Sequence, residues 1–378
     1  MKKISILICS QKGGHKFPAE SLASYLESRY PGKIEVAIVN LLDHIPLAYH
    51  CDKLTRWGDL KLRKLWKSGY ANLHKGSSSF TQWYRKLTAI VLGNKDSQRR
   101  IKSVLDRPDL IISFQPEVNC IAGWLRKQFN VPIHTMVMDY SAHIGWTDKS
   151  IRQYYVSNEI VHNQLINYGV PKEKILITGA PPQKGFEEVT QNSIERQRQQ
   201  LGIKKDWFTI LIMSGFLGKM VDYFGIIQAL LKIKKPIQLL VVSGKNRIVY
   251  ERIKKKNWKH VYPYFNVPNI HTVMWAADLI ISKPGGMVIA DSLALGKPMI
   301  LINPVGGSLQ EIIFAQHIAN QGVGIHLKDA AEVQGAVEDL LSHPDKIKRI
   351  AKKSYELGIK NRNATRSIAQ DIEKTITI

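Results

Sequence analysis

The sequence predicts an α/β fold of two doubly wound domains joined by a linker. Three observations carry that reading. Short, continuously apolar runs at residues 4–9, 110–114 and 279–281 alternate with stretches of helical spacing. That is the pattern of parallel strands buried on both faces by helices. The alternation stops at a polar, charged stretch over residues 183–206 and then restarts. Several apolar runs end in glycine-bearing loops that lead directly into a helix, as at Gly13-Gly14, at residues 214–218 and at Gly285-Gly286.

Residues 4–9 read as the first strand. Gln11 and Lys12 cut the apolar stretch off too soon for a secretory signal. A helix is expected from about Pro18 to residue 30, with Pro in its first turn and Leu22, Tyr25 and Leu26 on one face. Residues 34–39 form the next strand, and this βαβ opening implies parallel pairing. Residues 50–107 interrupt the pattern. They are rich in Lys and Arg, with Trp57, Trp66, Tyr70, Trp83 and Tyr84 interleaved. At about 100° per residue, Lys53, Arg56, Arg63, Lys64 and Lys67 share one face, and Leu54, Trp57, Leu62, Leu65 and Trp66 share another. Two readings fit: a helix lying in a membrane interface, or a core-packing helix with a solvated basic face.

Alternation resumes with strands at 110–114, 133–138, 154–157 and 175–178 and helices at 118–129 and about 159–168. A helix near 193–201 lies in the linker. Strands follow at 209–213, 237–242, 279–281 and 299–302, with a helix over about 287–295 after the third of them. The expected domains are residues 1–182 and 207–378, with 183–206 between them and the last helix able to pack back on the first domain. Ligands of such sheets bind outside the carboxyl ends of the strands. The loops after Cys9, Met138, Met213, Ser282 and Ile302 are therefore expected to face one inter-domain cleft.

The chain has 54 Lys and Arg against 31 Asp and Glu, a net charge of +23. Such an excess points to an anionic partner: nucleic acid, an anionic membrane surface or a phosphorylated substrate. No nucleic-acid recognition motif is present. Cys9, Cys51 and Cys120 match no zinc or redox spacing, which favours the cytosol. No apolar run is long enough for a spanning helix.

Ser282-Lys283-Pro284-Gly285-Gly286 closes one strand and opens a helix. Glycines let a ligand approach the backbone, and the first helical N–H groups point outward, which suits a phosphate. Asp291, one turn in, is placed to accept hydrogen bonds from ribose hydroxyls. The plainer alternative is an ordinary turn with a surface Asp.

Both halves resemble a GT-B glycosyltransferase, whose fold is two Rossmann-like domains facing a cleft. More narrowly, the chain is similar to the monogalactosyl- and glucosyl-diacylglycerol synthases, and more distantly to the GlcNAc transferase of peptidoglycan's lipid-linked precursor. The motifs that carry the resemblance run in order. They are residues 10–20 with Gly13-Gly14-His15, residues 109–116, residues 138–146 with Asp139, His143 and Trp146, and Tyr168-Gly169-Val170-Pro171. Thr178-Gly179-Ala180-Pro181, Met274-Trp275-Ala276-Ala277-Asp278, Ser282 to Gly286, and Gln310-Glu311 follow. Four positions depart from the family pattern. Lys12 replaces a glycine, the loop at 214–218 is poorer in glycine, Asp291 replaces Glu, and Phe314 stands where Asn is frequent.

The resemblance implies a UDP-sugar donor, a hexose (glucose or galactose), and diacylglycerol as acceptor at the cytoplasmic face of an anionic membrane. It implies that Gly215, Gly218, Lys219, Pro284, Gly285, Gly286 and Met287 meet the diphosphate, and that Asp291 meets the ribose. Phe265 and Val267 would meet the base, and Gln310 and Glu311 the sugar. Gly13, Gly14, His143 and Trp146 fall on the acceptor side, with Lys53, Arg56, Trp57, Arg63, Lys64, Trp66 and Lys67 toward lipid. His15 is the candidate general base, since a neutral imidazole can take a hydroxyl proton near neutral pH. Asp139 and His143 are the second candidates, and a helix-cap role is the plainer alternative for His15. No cofactor and no metal are expected, because no Asp-x-Asp of the metal–diphosphate kind is present. A transferase moving GlcNAc to another lipid-linked acceptor and a sugar-nucleotide epimerase are the competing readings. Nucleic acid is not an expected partner.

Overall fold

The computed structural model describes residues 1–9, 13–46, 78–186, 190–215, 217–218, 221–305 and 309–377. The basic aromatic positions from Lys53 to Lys67, and Lys219, lie outside the described residues. The chain divides into two compact units, Met1–Pro181 with Asn363–Ile378, and Pro182–Arg362.

The first unit is built on β1 (Lys2–Ile8), β2 (Ile34–Asn40), β3 (Leu110–Ser113), β4 (Ile133–Val137), β5 (Gln153–Val156) and β6 (Ile175–Ile177). The order is β2-β1-β3-β4-β5-β6, and every pairing is parallel. Ile6 sits opposite Ile38 on one side and Ile112 on the other. The inner strands β3 and β4 are buried at every position, as strands covered on both faces by helices are. The edge strand β2 alternates buried and exposed residues instead.

Two expectations are corrected in this unit. The first helix runs Gly13–Arg29, so Pro18 is inside it rather than in its first turn. Pro18 cannot donate to the Gly14 carbonyl, and His15 is in the first turn instead of the preceding loop. The helix expected over 118–129 is broken into Pro116–Asn119 and Ala122–Phe129. At the break, the buried Asn119 amide donates to the Trp146 carbonyl at 2.7 Å and to Thr135 Oγ1 at 3.2 Å.

The last helix, Ile359–Ile376, gives this unit its residues from Asn363 on. It is tied down by part-buried polar contacts. Tyr155 donates to Asp371 Oδ2 at 2.8 Å, and Tyr30 donates to Glu373 Oε2 at 2.7 Å. Tyr155 has one hydroxyl proton and spends it on Asp371. His134 Nδ1, 2.7 Å from that hydroxyl, is therefore the donor.

The second unit contains β7 (Phe208–Met213), β8 (Ile237–Val242), β9 (Val261–Tyr264), β10 (Leu279–Ser282), β11 (Met299–Ile302) and β12 (Gly324–Leu327). The order β12-β11-β10-β7-β8-β9 is again fully parallel. The chain leaves β7 toward β8 and β9, then returns to β10 on the other side. The topological switch point is thus between β7 and β10, where such sheets bind their ligands. Apolar clusters pack each face of the sheet, one around Ile210, Ile212 and Ile281 and the other around Leu211, Met213 and Ile280.

Candidate active site

In the second unit, the loops leaving β7 and β10 stand side by side at the switch point, since Ser282 pairs with Met213. The β7 loop is held by backbone. Gly215 and Gly218 both have positive φ, +65° and +58°, which favours glycine. A Cβ on Gly218 would lie 1.6 Å from the Ser243 carbonyl oxygen, so this position admits no side chain. The Gly218 carbonyl accepts from Asn246 Nδ2 at 2.9 Å, which pins the β7 loop to the loop after β8.

After β10, Pro284 and Gly285 lead into the helix Gly286–Ala294, and Gly285 is its N-cap with no side-chain cap. The N–H groups of the first turn have no intrahelical partner by geometry. An anion is the natural complement of that end of the helix. Phe265 and Val267 follow the edge strand β9. The Phe265 ring is exposed and lies 5.8 Å from the Arg247 guanidinium. Glu311 is in the first turn of Leu309–Asn320, the helix that follows β11.

Two features of this unit escaped the sequence. Lys283 forms an ion pair with Glu311, and both side chains are mostly buried. The sequence signal was a lysine directly between a buried strand and Pro-Gly-Gly. The second concerns Asp291, which is only 1% exposed. Its Oδ1 accepts the Gln183 backbone N–H at 3.1 Å, and its Oδ2 accepts the Gln183 side-chain amide at 2.8 Å. Gln183 lies just past Thr178-Gly179-Ala180-Pro181. Phe314 is a buried core residue, consistent with an apolar side chain replacing a polar one.

In the first unit, β1 and β3 flank the switch point, and their ends are joined when the Cys9 N–H donates to Gln115 Oε1. His15 is half-buried in the first helical turn beyond β1, and Gly14 beside it has open space where a Cβ would stand. Asp139, past the end of β4, is half-buried, and its carbonyl accepts from Ser157 Oγ at 2.6 Å. His143 and Trp146, expected to meet the acceptor, are instead fully buried. His143 caps the short 3-10 helix Ile144–Trp146, its Nδ1 accepting the Gly145 N–H at 3.1 Å. That contact leaves the ring proton on Nε2. Their place is inside the loop that carries Asp139. Among the described residues, no cluster of three or more His, Cys, Asp or Glu comes together as a metal site would.

Comparison with known proteins bears on both units. Residues 15–181 match the monogalactosyldiacylglycerol (MGDG) synthase family model, and residues 193–357 match that of glycosyl transferases group 1. The chain is a GT-B glycosyltransferase. A processive diacylglycerol beta-glucosyltransferase of Bacillus pumilus is 26% identical over 377 residues, 98% of this chain and 94% of that one. The Bacillus cereus protein of the same name is 28% identical over 257 residues, 66% of this glycosyltransferase and 64% of its relative. MurG from Acinetobacter baumannii shares the fold at a TM-score of 0.62 with 14% identity, covering 98% of this chain and 99% of that one. HepE from Anabaena, solved with UDP and glucose, aligns at 0.57 with 16% identity over 100% of both chains.

Proposed function

We propose that this glycosyltransferase moves a hexose from a UDP-sugar to diacylglycerol at an anionic membrane surface, without a metal ion. The observation that carries the reading is the uncapped N-terminus of Gly286–Ala294 at the switch point of the second unit. There the backbone N–H groups meet the donor diphosphate and stabilise the charge that develops on it as it leaves. Lys219, outside the described residues, adds a cation. Diacylglycerol and glucose are taken from the name of the Bacillus relatives, and UDP is in keeping with the ligands of the Anabaena structure.

The reaction needs little else. His15 takes the proton of the acceptor hydroxyl as its oxygen attacks the anomeric carbon. The bond from that carbon to the diphosphate oxygen breaks, and UDP carries the electron pair away. The helix Ser78–Gly93 supports a peripheral site at the cytoplasmic face of the membrane. It exposes Trp83, Leu87 and Ile90 at spacings of four and three, a single apolar face. No described helix is long and apolar enough to cross a membrane.

Titration calorimetry with UDP tests the donor half. Binding is expected with or without excess EDTA, and with preference over duplex DNA at physiological salt. Affinity that depends on added magnesium or manganese overturns the metal-free site. Absence of UDP binding overturns the function.

A further inference from the structure

We propose that the donor ribose is read by the side-chain amide oxygen of Gln183, with Asp291 holding that amide in place; this rests on the UDP-sugar reading above. Asp291 is the acid that the helix places nearest the glycine turn, yet its carboxylate has almost no accessible surface. Gln183 supplies one N–H to each of its oxygens. Hydrogen bonds to an ionised acceptor are about twice as strong as neutral ones. One of the two comes from backbone, so the residue cannot swing aside by a simple rotamer change. A ribose hydroxyl would have to break this clamp to reach Asp291.

The clamp also fixes which way the amide points. A carboxylate only accepts, so the NH2 of Gln183 must face it; the amide oxygen there would meet a second acceptor. The oxygen is therefore directed away from Asp291, on a side chain that is itself half-exposed. An amide oxygen accepts hydrogen bonds from hydroxyls as a carboxylate does, without a charge to desolvate. Asp is one methylene shorter than Glu, and the Gln side chain restores the reach that Asp291 lacks. Gln183 is thus the residue that touches the ribose, and Asp291 is its positioning residue.

The test uses full-length protein and two probes, UDP and 2′,3′-dideoxy-UDP, with melting curves to confirm folding. Wild type is expected to prefer UDP by roughly 10-fold, the scale of one such hydrogen bond. Gln183→Ala should bind UDP about 10-fold more weakly, bind the dideoxy probe as wild type does, and so lose the preference. Asp291→Asn removes the carboxylate that orients the amide, and should lose most of the preference while retaining dideoxy binding. If Gln183→Ala keeps the wild-type preference and Asp291→Asn alone loses it, Asp291 meets the ribose directly and the proposal is wrong. If both variants keep it, neither residue reads the ribose and the proposal is equally wrong. A wild-type protein that binds neither probe would refute the UDP-sugar reading itself.

Discussion

Asp291 illustrates how a residue legible in sequence can stand differently in three dimensions. Its distance from Gly285-Gly286 placed it correctly in the helix that follows β10, and that spacing was all the sequence offered. The partner that donates to it is 108 residues away in the chain, and no local pattern announces such a contact. Asp291→Ala is expected to weaken UDP binding by about 1–3 kcal/mol, the range for a charge-assisted hydrogen bond or the positioning of one. Unchanged affinity in the folded variant would take Asp291 out of the donor site. His15 offers the opposite case. Its motif was readable, and the structure moves it from a loop into the first turn of Gly13–Arg29. His15→Ala should lower kcat roughly 10²–10⁴-fold, the usual contribution of a general base, with UDP affinity nearly intact. A loss smaller than tenfold would assign His15 to capping the helix and move the base to Asp139. His143 and Trp146 were legible as a motif but not as buried residues, because Asn119 and Gln164 fix their loop from distant helices.

Among the elements, continuous apolar runs identified the inner strands. The edges were harder. β9 reads Val261-Tyr262-Pro263-Tyr264, is only partly buried throughout, and carries a proline that an interior strand would not accept. β12 begins at Gly324, where a Cβ would come within 2.8 Å of Met299 and 2.9 Å of Ile318. Neither has an alternation or run strong enough to announce a strand. The helix Ser78–Gly93 was submerged in the basic character of its surroundings. Its exposed face of Trp83, Leu87 and Ile90 is now the described element best suited to a lipid surface. Replacing these three by Ser should reduce sedimentation with anionic vesicles, and wild-type binding should fall with added salt, since surface charges are screened over roughly 8 Å at physiological ionic strength. Equal binding by variant and wild type would leave that face without a role at the membrane.

At the scale of the whole molecule, two parallel sheets with their switch points were legible, because doubly wound order follows from alternating strands and helices. The acid response of the protein was not, because it depends on burial. His134 is buried in the first unit, and desolvation above all, then the Arg152 charge, lowers its pKa to about 3. The unfolded chain titrates this histidine near 6.5. Between those values the unfolded state binds the extra proton, so stability should fall as pH drops from about 6.5 toward 3. The ceiling is on the order of 3–5 kcal/mol. His134→Gln keeps a donor for Tyr155 and should flatten urea midpoints measured across that window; an unchanged slope would place the acid sensitivity elsewhere. The reaction itself is tested most directly by mass spectrometry of lipids after incubation of the purified protein with UDP-glucose, UDP-galactose or UDP-GlcNAc and diacylglycerol in anionic vesicles containing excess EDTA. The predicted result is a hexosyl-diacylglycerol from a UDP-hexose, with UDP released in step. Production of a glycolipid from UDP-GlcNAc on another lipid acceptor alone, or epimerised nucleotide sugar with no lipid product, would contradict it.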